Sequence, residues 1–211
     1  MSDVILSQWE YLRNPCFASS IPYWKMQNIH IPSDLHILHH HSFVPLEWSG
    51  FRDEQYFRLS HPLNDLEHPT LPVGFSMCHC SLEEYAAHIS ACYPALRMSV
   101  ETLLEFRNHP VYRPELWLAI RDDRSGRIVA TGIAEYDPEL REGILEWIQV
   151  LPAYRRMGLG SFVVRELLWR MGGFADFVTV SGRCDNPSNP EALYRACGFL
   201  GNDVWHILRK V

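Results

Sequence analysis

The chain has 211 residues, 47% of them hydrophobic and 21% charged, with a net charge of −6. That length fits one domain, or one domain with an extension, and that composition excludes wholesale disorder. With 25 acidic and 19 basic side chains, neither the first 70 residues nor the remainder is basic, so a general nucleic-acid surface is not expected. No apolar run nears the roughly 20 residues that a bilayer span needs. The opening MSDVILSQWEYLRNP lacks a basic stretch followed by an apolar one, as a signal peptide would have. The expectation is a cytoplasmic protein without membrane association.

Residues 1–70 are rich in Pro, His and aromatic side chains and show no long helical period. Two short apolar runs, 35–38 and 56–59, predict two strands of an antiparallel pair. Residues 64–72 carry two prolines and few apolar side chains, and read as a linker. Beyond it the pattern becomes regular. A strand is predicted over 73–78. Ser81 and Glu84 form a capping box that opens a helix to about Ala91. A second helix is predicted from Val100 to Phe106. Three strands follow over 116–120, 128–136 and 144–150, separated by turns at 122–126 and 137–143. Val164, Leu167, Leu168 and Met171 repeat at helical spacing and mark a buried stripe on a helix over 159–171. A strand over 177–180, a helix over 189–196 stopped by Gly198, and a strand over 204–208 complete the chain. Hairpin strands followed by strand–helix–strand–helix–strand predict an α/β fold: a mixed central sheet flanked by helices. The domain reading is an N-terminal accessory segment, 1–70, and a main domain, 71–211.

Six cysteines, without a signal for export, are expected to be reduced. Cys78-His79-Cys80 has one residue between its thiols, too few for the usual zinc spacing. On a strand Cys78 and Cys80 would share a face that His79 leaves. His39-His40-His41 belongs to a histidine-rich stretch, but no carboxylate or cysteine stands at a familiar ligand spacing, so no metal is expected.

The informative stretch is Arg155-Arg156-Met157-Gly158-Leu159-Gly160-Ser161, between a strand and a helix. Two glycines allow a tight turn and close approach of a ligand. The helix start presents free N–H groups and the positive end of its dipole, and two arginines add charge. Such a construction can cradle a pyrophosphate. It is neither a Walker loop nor the dinucleotide GxGxxG. A turn with solvated arginines remains the plainer alternative.

Arg155-x-x-Gly158-x-Gly160 resembles the [QR]-x-x-G-x-[GA] signature of the GCN5-related N-acetyltransferases, the GNAT superfamily. The lead-in Val150-x-Pro152-x-Tyr154-Arg155-Arg156 agrees, and Leu193-Tyr194-Arg195-Ala196-Cys197-Gly198-Phe199 looks like the family's LY-x-x-x-GF element. The resemblance covers roughly residues 71–211. It implies a GNAT-type sheet and a transferase taking acetyl from acetyl-CoA to a primary amine by direct attack. It also implies acetyl-CoA as cosubstrate, with its pyrophosphate on the backbone of Arg156, Gly158, Leu159, Gly160 and Ser161, beside Arg155. The pantetheine arm would run along the strand at Ile148 and Val150. Asn186 and Asn189 both fall where the family carries an asparagine; Asn189 is taken as the cofactor contact.

Tyr194 matches the family's general acid for the thiolate, although a tyrosine on a helix can simply fill a core. Glu146 is the candidate base. By alternation it shares a face with Ile144, Ile148 and Val150, where apolar neighbours would raise its pKa. The alternatives are a structural ion pair, Glu135 as base, or a water chain. A module that senses acyl-CoA without turnover is the competing function. Expected partners are acetyl-CoA and an amine, small molecule or protein, with a homodimer left open. The acidic net charge suits a cationic acceptor but does not choose one.

Overall fold

The structure is a computed structural model and describes residues 6–27, 29–93 and 96–211. In chain order the elements are α1 (Gln8–Arg13), α2 (Pro15–Ala18), α3 (Tyr23–Met26), β1 (Leu35–His39), β2 (Phe51–His61), β3 (Phe75–Met77), α4 (Leu82–Cys92), α5 (Val100–Asn108), β4 (Trp117–Asp122), β5 (Ile128–Asp137), β6 (Glu142–Val150), α6 (Leu159–Met171), β7 (Phe177–Arg183), α7 (Pro190–Ala196) and β8 (Leu200–Lys210). The chain divides into two compact units, Pro62–Val178, and Met1–His61 with Thr179–Val211. The architecture is α/β, with mostly antiparallel strands flanked by helices, as expected. No helix among the described residues is long and apolar enough to cross a membrane.

In the unit Pro62–Val178 the strands lie in the order β3-β4-β5-β6, and every neighbouring pair is antiparallel. One face is covered by α4 and α5. Leu82, Tyr85, Ala86, Ile89 and Leu103 pack there on Ala119 and Ile133. The start of α4 is held by its capping box: Ser81 Oγ accepts from the Glu84 N–H, and the Glu84 carboxylate accepts from the Ser81 N–H at 2.8 Å. The opposite face carries α6, whose Val163, Val164, Leu167, Leu168 and Met171 are buried. Burial of each such side chain contributes roughly 1.5–3 kcal/mol. Gly132 and Gly143 let this helix come close. A Cβ on Gly132 would run into Val163, and one on Gly143 into Met171.

In the other unit β8 pairs antiparallel with both β1 and β2. The predicted β1–β2 hairpin therefore does not form. The last strand of the chain lies between the two, burying Leu208 completely and giving both a partner. Arg58 of β2 is 1% exposed and ties this unit together. It donates to Tyr11 Oη at 2.8 Å, Ser181 Oγ at 3.1 Å and Thr179 Oγ1 at 3.4 Å, joining α1, β2 and β7.

Candidate active site

The stretch that leads into α6 starts on β6, and β6 is irregular. Trp147 stands opposite Ile133 and Leu145 opposite Ala134, so Glu146 has no counterpart on β5. This is a β-bulge, one extra residue in one strand. It overturns the face assigned to Glu146 by alternation. Gly132 and its partner Ile148 face α6, because a Cβ on Gly132 would meet Val163 and Leu167. Ile133 faces α4 and α5, and Glu135, two residues on, keeps that face with its partner Ile144. Ile144 and Ile148 thus lie on opposite faces, and no single apolar face holds Glu146 with both. The inserted residue resets the period of two.

Beyond the bulge, the Leu151 N–H donates to the Val129 carbonyl at 2.9 Å. Residues 147, 149 and 151 therefore direct their amides toward β5, and Ile148 and Val150 direct theirs away. Side chains meet the two outward carbonyls. Tyr93 Oη donates to Ile148 O at 3.4 Å, and Arg155 Nε donates to Val150 O at 3.3 Å. Tyr93 follows α4, packs edge-on against Trp147, and has its hydroxyl pKa raised by burial. Nothing in the sequence pattern marked it.

The turn itself has two left-handed residues. Arg156 has φ +65° and Gly158, the N-cap of α6, has φ +84°. Alternation of left-handed backbone gathers successive N–H groups into a concave nest that suits an anion. The first helical hydrogen bond runs from the Phe162 N–H to the Gly158 carbonyl at 3.0 Å. The N–H groups of Leu159, Gly160 and Ser161 lie ahead of it, at the positive end of a 13-residue helix. Arg155, Arg156, Met157 and Gly158 are exposed. Glu146, Ile148, Val150 and residues 155–161 thus form one contiguous bulged strand, turn and helix start. The nest, its exposure and its charge fit a diphosphate.

Tyr194 and Asn189 belong to the other unit. Tyr194 is 7% exposed and packs between Phe57 and Phe199, with ring centroids 6.2 and 5.7 Å away. Asn189 is the N-cap of α7, at φ +48°, and its side chain accepts from the Ala192 N–H at 3.3 Å. Its amide thus has a helix-capping task.

Glu135 is 6% exposed, with Oε1 3.6 Å from His109 Nδ1. Cys92 and His88 lie one helical turn apart on α4, with Sγ 3.7 Å from Nε2. Burial pushes the thiol up to about 11 and the imidazole down to about 4, so both are neutral at pH 7 and the pair is no activated nucleophile. Strand β3 ends at Met77, so Cys78 and Cys80 do not share a strand face. Among the described residues, no disulfide joins any of the six cysteines. The histidine stretch is built into the unit. His39 Nε2 is 3.1 Å from Asp203, and His40 Nδ1 is 3.0 Å from His206 Nε2. No group of three or more His, Cys, Asp or Glu among the described residues is arranged to hold a metal.

A sequence model described as the acetyltransferase (GNAT) family matches residues 81–199, more than half of the chain. A search of curated proteins finds no match. Among solved structures, the chain is similar to a GCN5-related N-acetyltransferase from Sphaerobacter thermophilus, at 20% identity and a TM-score of 0.68. The match covers 89% of this chain and 64% of that one. A protein of Drosophila is 21% identical with a TM-score of 0.59, covering 76% of this chain and 52% of that one. A GCN5-related N-acetyltransferase from Kribbella flavida is 20% identical with a TM-score of 0.55, covering 83% and 67%. The chain thus spans less than two thirds of the first two structures. At these identities the likeness speaks to the fold. The family match and the fold agree, and the chain belongs to the GNAT family of acetyltransferases.

Proposed function

We propose that the protein is an N-acetyltransferase that moves acetyl from acetyl-CoA to a primary amine by direct attack. The observation that carries this reading is the left-handed turn of Arg156 and Gly158 at the start of α6. It would hold the diphosphate of acetyl-CoA through the N–H groups of Leu159, Gly160 and Ser161, with Arg155 and Arg156 supplying charge. The arm would extend along β6 past Ile148 and Val150. Asn189 is proposed as a further cofactor contact.

The bound thioester supplies an activated acetyl group. The chain then has to manage two protons. Glu146 is proposed to take one from the amine as nitrogen attacks the carbonyl carbon, with Glu135 or water as the alternative base. Tyr194 is proposed to give one to the sulfur as the C–S bond breaks. Residues 1–70 would serve the domain 71–211 as an accessory segment. The location proposed is cytoplasmic, with no metal and no nucleic-acid partner.

Release of free coenzyme A from acetyl-CoA in the presence of a panel of amines tests the reading. Amine-dependent release supports it. Tight acetyl-CoA binding without release from any amine favours an acyl-CoA sensor.

A further inference from the structure

We infer that Tyr93 stands in for the arm of the cofactor while the site is free, and so sets the affinity for that arm. The inference rests on the proposed coenzyme A reading. Its starting point is the backbone of β6. Ile148 and Val150 turn their carbonyls away from β5, and both are met by side chains: Tyr93 Oη on Ile148 and Arg155 Nε on Val150.

The two donors differ in cost of release. Arg155 is exposed, and its guanidinium can exchange this contact for water. Tyr93 is half-buried, and its ring is fixed against Trp147 with centroids 6.1 Å apart. An extended ligand with amide N–H donors, lying beside β6 next to the nest, needs the Ile148 carbonyl as an acceptor. In this inference the ligand amide takes the place of the tyrosine hydroxyl on the carbonyl and does not share the carbonyl's two lone pairs with it. One protein–protein hydrogen bond is broken for each ligand–protein bond gained there, so the net gain at that carbonyl is small. The diphosphate end meets the nest, where Tyr93 takes no part. Tyr93 is therefore a positioning residue for the arm and not for the diphosphate.

The test compares two probes in calorimetric titration of the full chain. Coenzyme A has both diphosphate and arm; adenosine 5′-diphosphate has the diphosphate alone. Tyr93→Phe keeps the ring on Trp147 and removes only the hydroxyl. The expected result is coenzyme A bound roughly 2- to 3-fold more tightly by Tyr93→Phe, the low end for one neutral hydrogen bond, because the Tyr93 bond is long at 3.4 Å. Adenosine 5′-diphosphate should bind the two proteins equally. A general loosening of the fold would move both probes together and would overturn the assignment. Unchanged or weaker coenzyme A binding, with adenosine 5′-diphosphate still bound equally, overturns it while leaving the cofactor reading in place. Failure of the parent chain to bind either probe removes the cofactor reading and this inference with it.

Discussion

Arg156 and Gly158, two residues apart, both hold left-handed backbone at the mouth of α6. The space around them is not what demands the glycine. A Cβ on Gly158 would meet only Pro72 Cγ, at 3.4 Å, which is an ordinary contact. The demand comes from φ, which is +84° there. A β-branched side chain resists that conformation most strongly.

Gly158→Val should therefore act on the turn before it acts on the core. Strain at this position costs on the order of 1–3 kcal/mol, so either stability falls by that amount or the turn relaxes and its N–H groups lose their common direction. Coenzyme A affinity is expected to fall sharply while far-UV circular dichroism keeps its shape. Equal affinity in calorimetric titration would exclude the nest as the diphosphate site.

The pH dependence of stability should carry the mark of His88. Burial holds its pKa at about 4, against about 6.5 for an unfolded histidine. Below about pH 6.5 the unfolded chain takes up a proton that the folded chain refuses. Stability is then lost as pH falls, and at one unit per ~1.4 kcal/mol the loss reaches about 3 kcal/mol near pH 4. His39, also lowered chiefly by burial, acts in the same direction. Urea midpoints at pH 7.5, 6 and 5 for the parent and His88→Gln check this. The variant should show the shallower acid slope, and parallel slopes would show that His88 is not the group responsible.

How far the site could be read in advance depended on whether its signal was local. The bounds of α6, its apolar stripe and the glycine turn before it are all written in consecutive residues. The capping box of α4 is equally local. The partner of β1 is not, because it lies at the other end of the chain; two neighbouring apolar runs suggest a hairpin that β8 in fact interrupts. The bulge at Glu146 is hidden for another reason. Alternation presumes an unbroken ladder, and no glycine or proline at that point signals the break. Tyr93 and Arg58 act through contacts 55 and 121–123 residues away in sequence, where no spacing rule reaches.

The contacts of the histidine stretch are long-range in the same way: His39 meets Asp203 and His40 meets His206. His206, 1% exposed, lies between Asp53 at 2.8 Å and His40 at 3.0 Å, while Phe43 stacks on its ring. Replacing His39, His40 and His41 together by Gln should leave turnover intact at 25 °C. It should also lower stability by about 1–3 kcal/mol through the lost polar contacts. Thermal melts and elemental analysis of untagged protein are the measurements. A tightly held equimolar metal, lost in the variant together with activity, would reverse this assignment.

The proposed acid and base make separable predictions. Tyr194 sits among Phe57 and Phe199, so Tyr194→Phe keeps the aromatic packing and removes only the hydroxyl. A general acid typically contributes about 10²–10⁴-fold, and kcat should fall within that range. KM for acetyl-CoA should change little, because the lost interaction belongs to the transition state. Glu146→Gln removes a proton acceptor instead. The acidic limb of kcat/KM should shift, and an amine of lower pKa, deprotonated without help, should recover part of the rate. The bulge makes this substitution informative, since residue 146 is outside the β5 ladder and its replacement leaves the flanking pairs at Leu145 and Trp147 in register. A Tyr194→Phe enzyme as fast as the parent in single turnover would exclude the acid assignment. An unmoved acidic limb in Glu146→Gln would transfer the base to Glu135, whose carboxylate lies beside His109, or to water.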